Sequence, residues 1–217
     1  MRRVLLAVAL AAMALPALGD PDAVFRVDFS NPQISPSHWT ITLYPDGSGH
    51  FHSERGSTPA ADPPTMEAPN VDRDIRLSEP FAGRVFQTAR LHSNRSEDCE
   101  SHMKVAFQGW KKLSYTGPGG QWTCEFNYSR DKQVQALGDS MMGVAATLLE
   151  GARLEMLLQH DRLGLDREME YIVEGLGDGR LVQISAIQGI LERLADDPGV
   201  MERVRKRART LLASAEK

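Results

Sequence analysis

The chain has 217 residues, of which 41% are hydrophobic and 25% charged, with a formal net charge of −4 at pH 7. That mildly acidic balance excludes a general nucleic-acid binder, whose phosphate contacts require a basic surface. The length suffices to bury the core of one large domain or two small ones.

The first twenty residues, "MRRVLLAVALAAMALPALGD", read as an export signal. Arg2 and Arg3 form a positive start, Val4 to Leu18 is a 15-residue apolar run, and Ala17-Leu18-Gly19 offers small residues for cleavage. The run falls short of the roughly 20 residues that span a bilayer. The arginines lack a twin-arginine context, and no cysteine near the cleavage point invites a lipid. The expected signal peptide is therefore 1–19, and its alanine-rich core is bacterial in type, which places the mature chain in the periplasm or the medium. Removing it leaves 23 Lys+Arg against 29 Asp+Glu, a net of −6, and no further run of membrane length.

Residues 24–128 alternate with period two between turn signals. Phe25, Val27 and Phe29 mark a first strand, and Trp39, Ile41 and Leu43 a second. "HFHSERG" makes a third. "GSTPAADPPTMEAPNVDRD", Gly56 to Asp74, holds four prolines and reads as a long irregular loop. "SEPFAGRVFQTARL" is a helix with Ser78 as N-cap and Phe81, Val85, Phe86 and Ala89 on one face. "MKVAFQ", "KLSYTG" and "QWTCEFNY" follow as three short strands. Cys99 and Cys124, the two cysteines of an exported chain, read as one disulfide.

From Ser129 the period is helical. Val134, Leu137, Met141, Val144, Leu148 and Ala152 form one stripe of a long helix, and Met142, Leu149 and Met156 begin a second. "LDREMEYIVEGLGDG" and "LVQISAIQGILERLADD" are further helices. The last has Asp197 as N-cap and Pro198 at its first position. The fold class is α+β: a small antiparallel β-sheet domain with one helix (20–128), then a C-terminal helical domain (129–217), a bundle that shares the long helix.

The stretch "LYPDGSGHFHSERG" raises the main functional question. Pro45, Asp46 and Gly47 fit a type I turn closed by a left-handed glycine, which pairs residues whose numbers sum to 92. Ile41 then faces Phe51 on the core side, and His38, His50, His52 and Glu54 gather on the opposite, polar face. Such a row can hold Zn²⁺ or a similar divalent metal; the plainer reading is a solvated face of an antiparallel pair. The spacing does not match the cupin pattern.

Other motifs carry less. Gly138-Asp139-Ser140 spells the opening of the GDSL esterase block, but charged residues precede it and the segment reads as helix. His160 and Asp161 suit the end of the long helix. "RVRKRAR", Arg203 to Arg209, puts five cations in seven residues, which fits an anionic surface or, more simply, a solvated helix face with a Glu202–Lys206 pair. Asn94 and Asn127 open sequons. No dinucleotide, Walker or zincin fingerprint occurs.

The run "DGSGHFHSERG … EGARLEMLLQHDRLGLD … RKRARTLLA" resembles predicted exported bacterial proteins of unknown function, over most of the mature chain. The order strand, DG turn, strand, helix, strands, helix is similar to small protease-inhibitor domains of the emfourin kind, with no matching inhibitory motif. Neither resemblance supplies site residues. The expected function is an exported, non-enzymatic binding or accessory protein that holds a protein or envelope partner through its β-domain, without a cofactor. The alternatives are a metal-binding protein or metal-dependent hydrolase centred on His50 and His52, and an envelope component that self-associates through its helical half.

Overall fold

The computed structural model describes residues 23–56, 70–93 and 98–215. The expected signal peptide, the proline-rich residues 57–69 and the Asn94 sequon lie outside them. Six strands form one antiparallel sheet: β1 (Val24–Ser30), β2 (His38–Leu43), β3 (Ser48–Glu54), β4 (Val71–Arg76), β5 (Trp110–Gly117) and β6 (Gly120–Phe126), in the order β4-β3-β2-β1-β5-β6. The helices are α1 (Glu79–His92), α2 (Lys132–His160), α3 (Leu165–Gly177), α4 (Gln188–Asp196) and α5 (Glu202–Ala215), with a 3₁₀ turn at Ile184–Ile187. The fold is α+β, as the periodicities require. Among the described residues, no helix is long and apolar enough to cross a membrane.

The β2–β3 hairpin forms in the register that its turn dictates. Tyr44 N–H donates to the Ser48 carbonyl at 2.8 Å and Gly47 N–H to the Tyr44 carbonyl at 3.0 Å, with Gly47 at φ +81°. Ile41 pairs with Phe51, and His38 with Glu54. The Gly47 carbonyl in turn accepts from Leu77 N–H at 2.8 Å, which ties the turn to the start of α1. A Cβ at Gly47 would collide with the Leu77 carbonyl.

One face of the sheet is the core. Phe25, Val27, Phe29, Trp39, Ile41, Leu43 and Phe51 are buried on it, with Leu113, Tyr115, Trp122 and Phe126 from the other wing. Phe29 stacks on Trp39 at 5.1 Å. Phe86 of α1 meets Phe25 and Tyr115 edge-on at 6.5 and 6.2 Å, and so seats the helix. α2 starts where Asp131 accepts from Gln133 and Val134 N–H, and its predicted stripe, Val134 to Ala152, is buried throughout. Thr147 donates to the Val182 carbonyl at 2.7 Å and accepts from Val182 N–H at 3.1 Å, which binds the 180s segment to α2. One cluster of buried side chains runs through both sheet and helices.

Three local expectations are corrected. The end of the predicted loop is a strand: Val71 and Ile75 are buried and β4 pairs fully with β3. "MKVAFQ" is not a strand: it forms no ladder with the edge strand β6, and the Asn127 side chain takes up its Gln108 N–H and Ala106 carbonyl instead. Asp197 closes α4 instead of opening α5. Its carboxylate accepts from Gly199 N–H at 2.8 Å and pairs with Arg162 at 3.2 Å, and the last helix begins at Glu202.

The basic helix face is less solvated than expected. Arg203 and Arg207 reach Asp166 of α3 at 2.8 and 2.6 Å, and Glu202 pairs with Arg205 and Arg209. Ser140 lies within α2 and donates to the Ala136 carbonyl, so the Gly-Asp-Ser letters form no nucleophile. Asp161 accepts from Leu163 and Gly164 N–H, the turn role read for it.

Cys99 and Cys124 are bonded, and the bridge spans 25 residues. By loop-closure entropy, the Cys99→Ala/Cys124→Ala variant is expected to lose about 3 kcal/mol in urea unfolding. Gly47→Ala is expected to lose about 2 kcal/mol, because both the positive φ and the Leu77 carbonyl oppose a side chain.

Candidate functional site

The second face of the sheet carries polar side chains from four adjacent strands. The pairing lays out three ladders: Ser30, His38 and Glu54; Asp28, Thr40, His52 and Asp72; Arg26, Thr42, His50 and Asp74. Strands stand about 4.8 Å apart, so charged neighbours across a ladder reach one another. The four residues singled out in the sequence, His38, His50, His52 and Glu54, do share this face. Asp28, Asp72 and Asp74 join them.

Together these seven groups make a row in which acids and imidazoles alternate. His38 Nε2 meets Asp28 Oδ1 at 3.1 Å, and its Nδ1 lies 4.0 Å from Glu54. Glu54 meets His52 Nε2 at 3.3 Å, and His52 Nδ1 meets Asp72 at 3.2 Å. Asp72 also meets His50 Nε2 at 2.8 Å, and His50 Nδ1 meets Asp74 at 3.0 Å. Every ring nitrogen therefore faces a carboxylate. Among the described residues, no group of three or more His, Cys, Asp or Glu side chains is arranged to hold a metal ion.

The electrostatics follow from these contacts. The hydrogen bond to Asp74, followed by that to Asp72, holds the His50 pKa above its ordinary 6.5. Hydrogen bonds from His52 and His50 hold Asp72 below its ordinary 3.8. His50 protonation thus favours the fold: its contribution is complete below 6.5 and is lost as pH rises through the raised value. Asp72 contributes above 3.8 and loses its contribution as pH falls through the lowered value.

β4 supplies the acids that the sequence reading missed. Asp is depleted in strands, and a proline-rich stretch leads into this one, so propensity argues against it. The available signal was the alternation of Val71, Arg73 and Ile75 with Asp72, Asp74 and Arg76. Arg73 points to the other side, where it forks onto Glu155 of α2 at 3.2 and 2.7 Å.

No family model matches the chain, and no curated protein matches it either.

A second histidine site also escaped the sequence reading. His92, 4% exposed, faces the Thr88 carbonyl with Nδ1 at 2.9 Å and Asp131 Oδ2 with Nε2 at 3.1 Å. It packs on Trp122 beside a cavity of about 290 Å³ lined also by Cys99, Glu100 and His102. Both ring nitrogens are engaged, so neither is free to act as a base. Asp131 is held to α2 as well, and the pair couples the end of α1 to the start of that helix.

The helices hold one more titratable cluster. Glu150 of α2 is pushed up to about 8, first by burial and then by Glu168 of α3. Arg153 stands 3.7 Å from Glu150 and 3.9 Å from Glu168. A carboxyl raised in the folded state costs stability as pH climbs from its unfolded value to about 8.

Two outcomes are expected. In urea titrations, His50→Gln destabilises more at about pH 5 than at about pH 8, because protonated His50 supports the row. Glu150→Gln leaves stability nearly unchanged at about pH 4 and raises it at about pH 8, by on the order of 2 kcal/mol.

Proposed function

We propose that this chain is an exported, non-enzymatic binding or accessory protein of the cell envelope, which holds a basic partner surface on the open face of its sheet. The observation that carries this reading is the row from Asp28 to Asp74, laid across four strands on the face opposite the core. Four carboxylates against three imidazoles make the row anionic wherever the histidines are neutral, and a flat polar sheet face suits a macromolecular surface better than a small molecule. Export is supported by the leader-like residues 1–19 and by the disulfide, which belongs to an oxidising compartment. The resemblance to exported bacterial proteins points the same way. The row lies on an open sheet face and not in a cleft that would hold a small substrate, which favours the binding reading.

Crosslinking in intact envelopes tests this. A defined partner is expected with the wild type and is expected to be lost in Asp72→Lys/Asp74→Lys. A partner retained by that variant would remove the sheet face from consideration.

A metal-binding reading is favoured by one observation: Asp72 lies within reach of both His50 and His52. Binding would require the imidazoles to exchange carboxylate contacts for the ion. Titration with Zn²⁺, Ni²⁺ and Cu²⁺ separates the readings. Stoichiometric sub-micromolar binding lost in His50→Ala/His52→Ala would establish a metal site, whereas the binding-protein reading expects none.

A further inference from the structure

The segment that reads as a strand but pairs with nothing lies at one corner of the sheet. Residues 103–108 run beside the end of β6. Asn127 holds them there by donating its amide to the Ala106 carbonyl at 3.2 Å and accepting from Gln108 N–H at 2.7 Å. Ser101 N–H donates to the Tyr128 carbonyl at 2.8 Å. The alternating apolar residues that predicted a strand therefore face water: Met103 is 53% exposed and Phe107 41%, with Val105 similar. Trp110, 42% exposed, packs against Phe107 at 6.1 Å, and Tyr128 is exposed at the same corner.

The charges around this patch run against the balance of the chain. Lys104, Lys112 and Arg130 are exposed, and among the described residues no ion pair engages them. The local acids are mostly committed: Asp98 pairs with His102 at 2.6 Å, and Glu100 accepts from Asn127 N–H at 2.6 Å and His102 N–H at 3.2 Å. Lys112 itself stands between Glu125 of β6 and Asp28 of β1, its two cross-strand neighbours. A chain of net charge −4 thus presents Lys104 and Arg130, with Lys112 between two acids, around exposed Met, Val, Phe, Trp and Tyr. Amphipathic aromatics with flanking Lys and Arg are the composition that settles at the boundary of an anionic bilayer.

We propose that this corner docks the protein onto an anionic lipid surface, with Phe107 and Trp110 entering the headgroup region while Lys104, Lys112 and Arg130 meet the phosphates. Lys112 stands across from Asp28 in the β1–β5 pairing, so the patch borders the row on β1–β4. None of the patch residues belongs to that row, so the proposal goes beyond the partner-binding reading and can fail without it.

The test uses the chain from Asp20 onward and vesicles of phosphatidylcholine with or without phosphatidylglycerol. Trp39 and Trp122 are buried, so Trp110 is the tryptophan whose emission reports contact. The expected result is co-flotation with phosphatidylglycerol vesicles alone, weakened by salt, with a blue shift that Trp110→Phe abolishes. Lys104→Glu/Arg130→Glu is expected to weaken binding at least about tenfold, and Phe107→Ser/Trp110→Ser to lose it. These are surface positions, and urea unfolding checks that each variant stays folded. Absence of binding at low salt, or binding unchanged by both double variants, overturns the proposal. So does a dimer by light scattering that Phe107→Ser turns into monomer, since a second copy would then cover the patch.

Discussion

The site depends on one turn, closed by the hydrogen bonds between Tyr44, Gly47 and Ser48 and tied to the chain before α1 by Leu77 N–H to the Gly47 carbonyl. The turn fixes the β2–β3 register, and a slip of one residue would exchange the two faces of the hairpin. Phe51 and Ile41 would leave the core and the histidines would enter it. Because Leu77 leads directly into α1, the same contact also positions the helix whose Phe86 wedges between β1 and β5. The polar row is therefore as well determined as the core, although its own members are half exposed.

The parts of this fold legible in the sequence are those set by local rules. The Pro45-Asp46-Gly47 turn, the alternation around it and the stripe of α2 each depend on neighbours a few residues away. The disulfide was legible because two cysteines allow one pairing. β4 was not, since its strand state comes from its neighbour β3 and overrides the poor propensity of Asp72 and Asp74. The reverse error at Met103–Gln108 has the same origin: good propensity makes no strand where a side chain, that of Asn127, takes the backbone groups a ladder would need. Half of the polar row was thus readable, the His and Glu on β2 and β3, while its acids on β1 and β4 required the sheet order. His92 and Asp131 are 39 residues apart and gave no motif at all.

Charge is distributed unevenly in use. The arginines of α5, which looked most like a docking patch in the sequence, are largely turned inward to Asp166 or taken up by Glu202. The pairs to Asp166 bridge α5 to α3 and orient the two helices more than they add stability, whereas those of Glu202 lie within α5. Lys104 and Lys112, exposed without an ion pair among the described residues, sit in a segment whose sequence charge is unremarkable. Exposure of a cation is a property of the fold, and a run of basic letters does not predict it.

The position of β1 has a consequence for how the chain assembles. β1 to β4 follow one another as neighbours, so each can pair as soon as the next is made. The other edge of β1 must wait for β5, across roughly eighty residues from Ser30 to Trp110. Until that return, Phe25 to Phe29 present an open edge of amide and carbonyl groups beside the most apolar part of the sheet. The closure of β5 onto β1 therefore spans the longest loop of any pairing in the sheet, and until it forms, the edge of β1 is open to another strand.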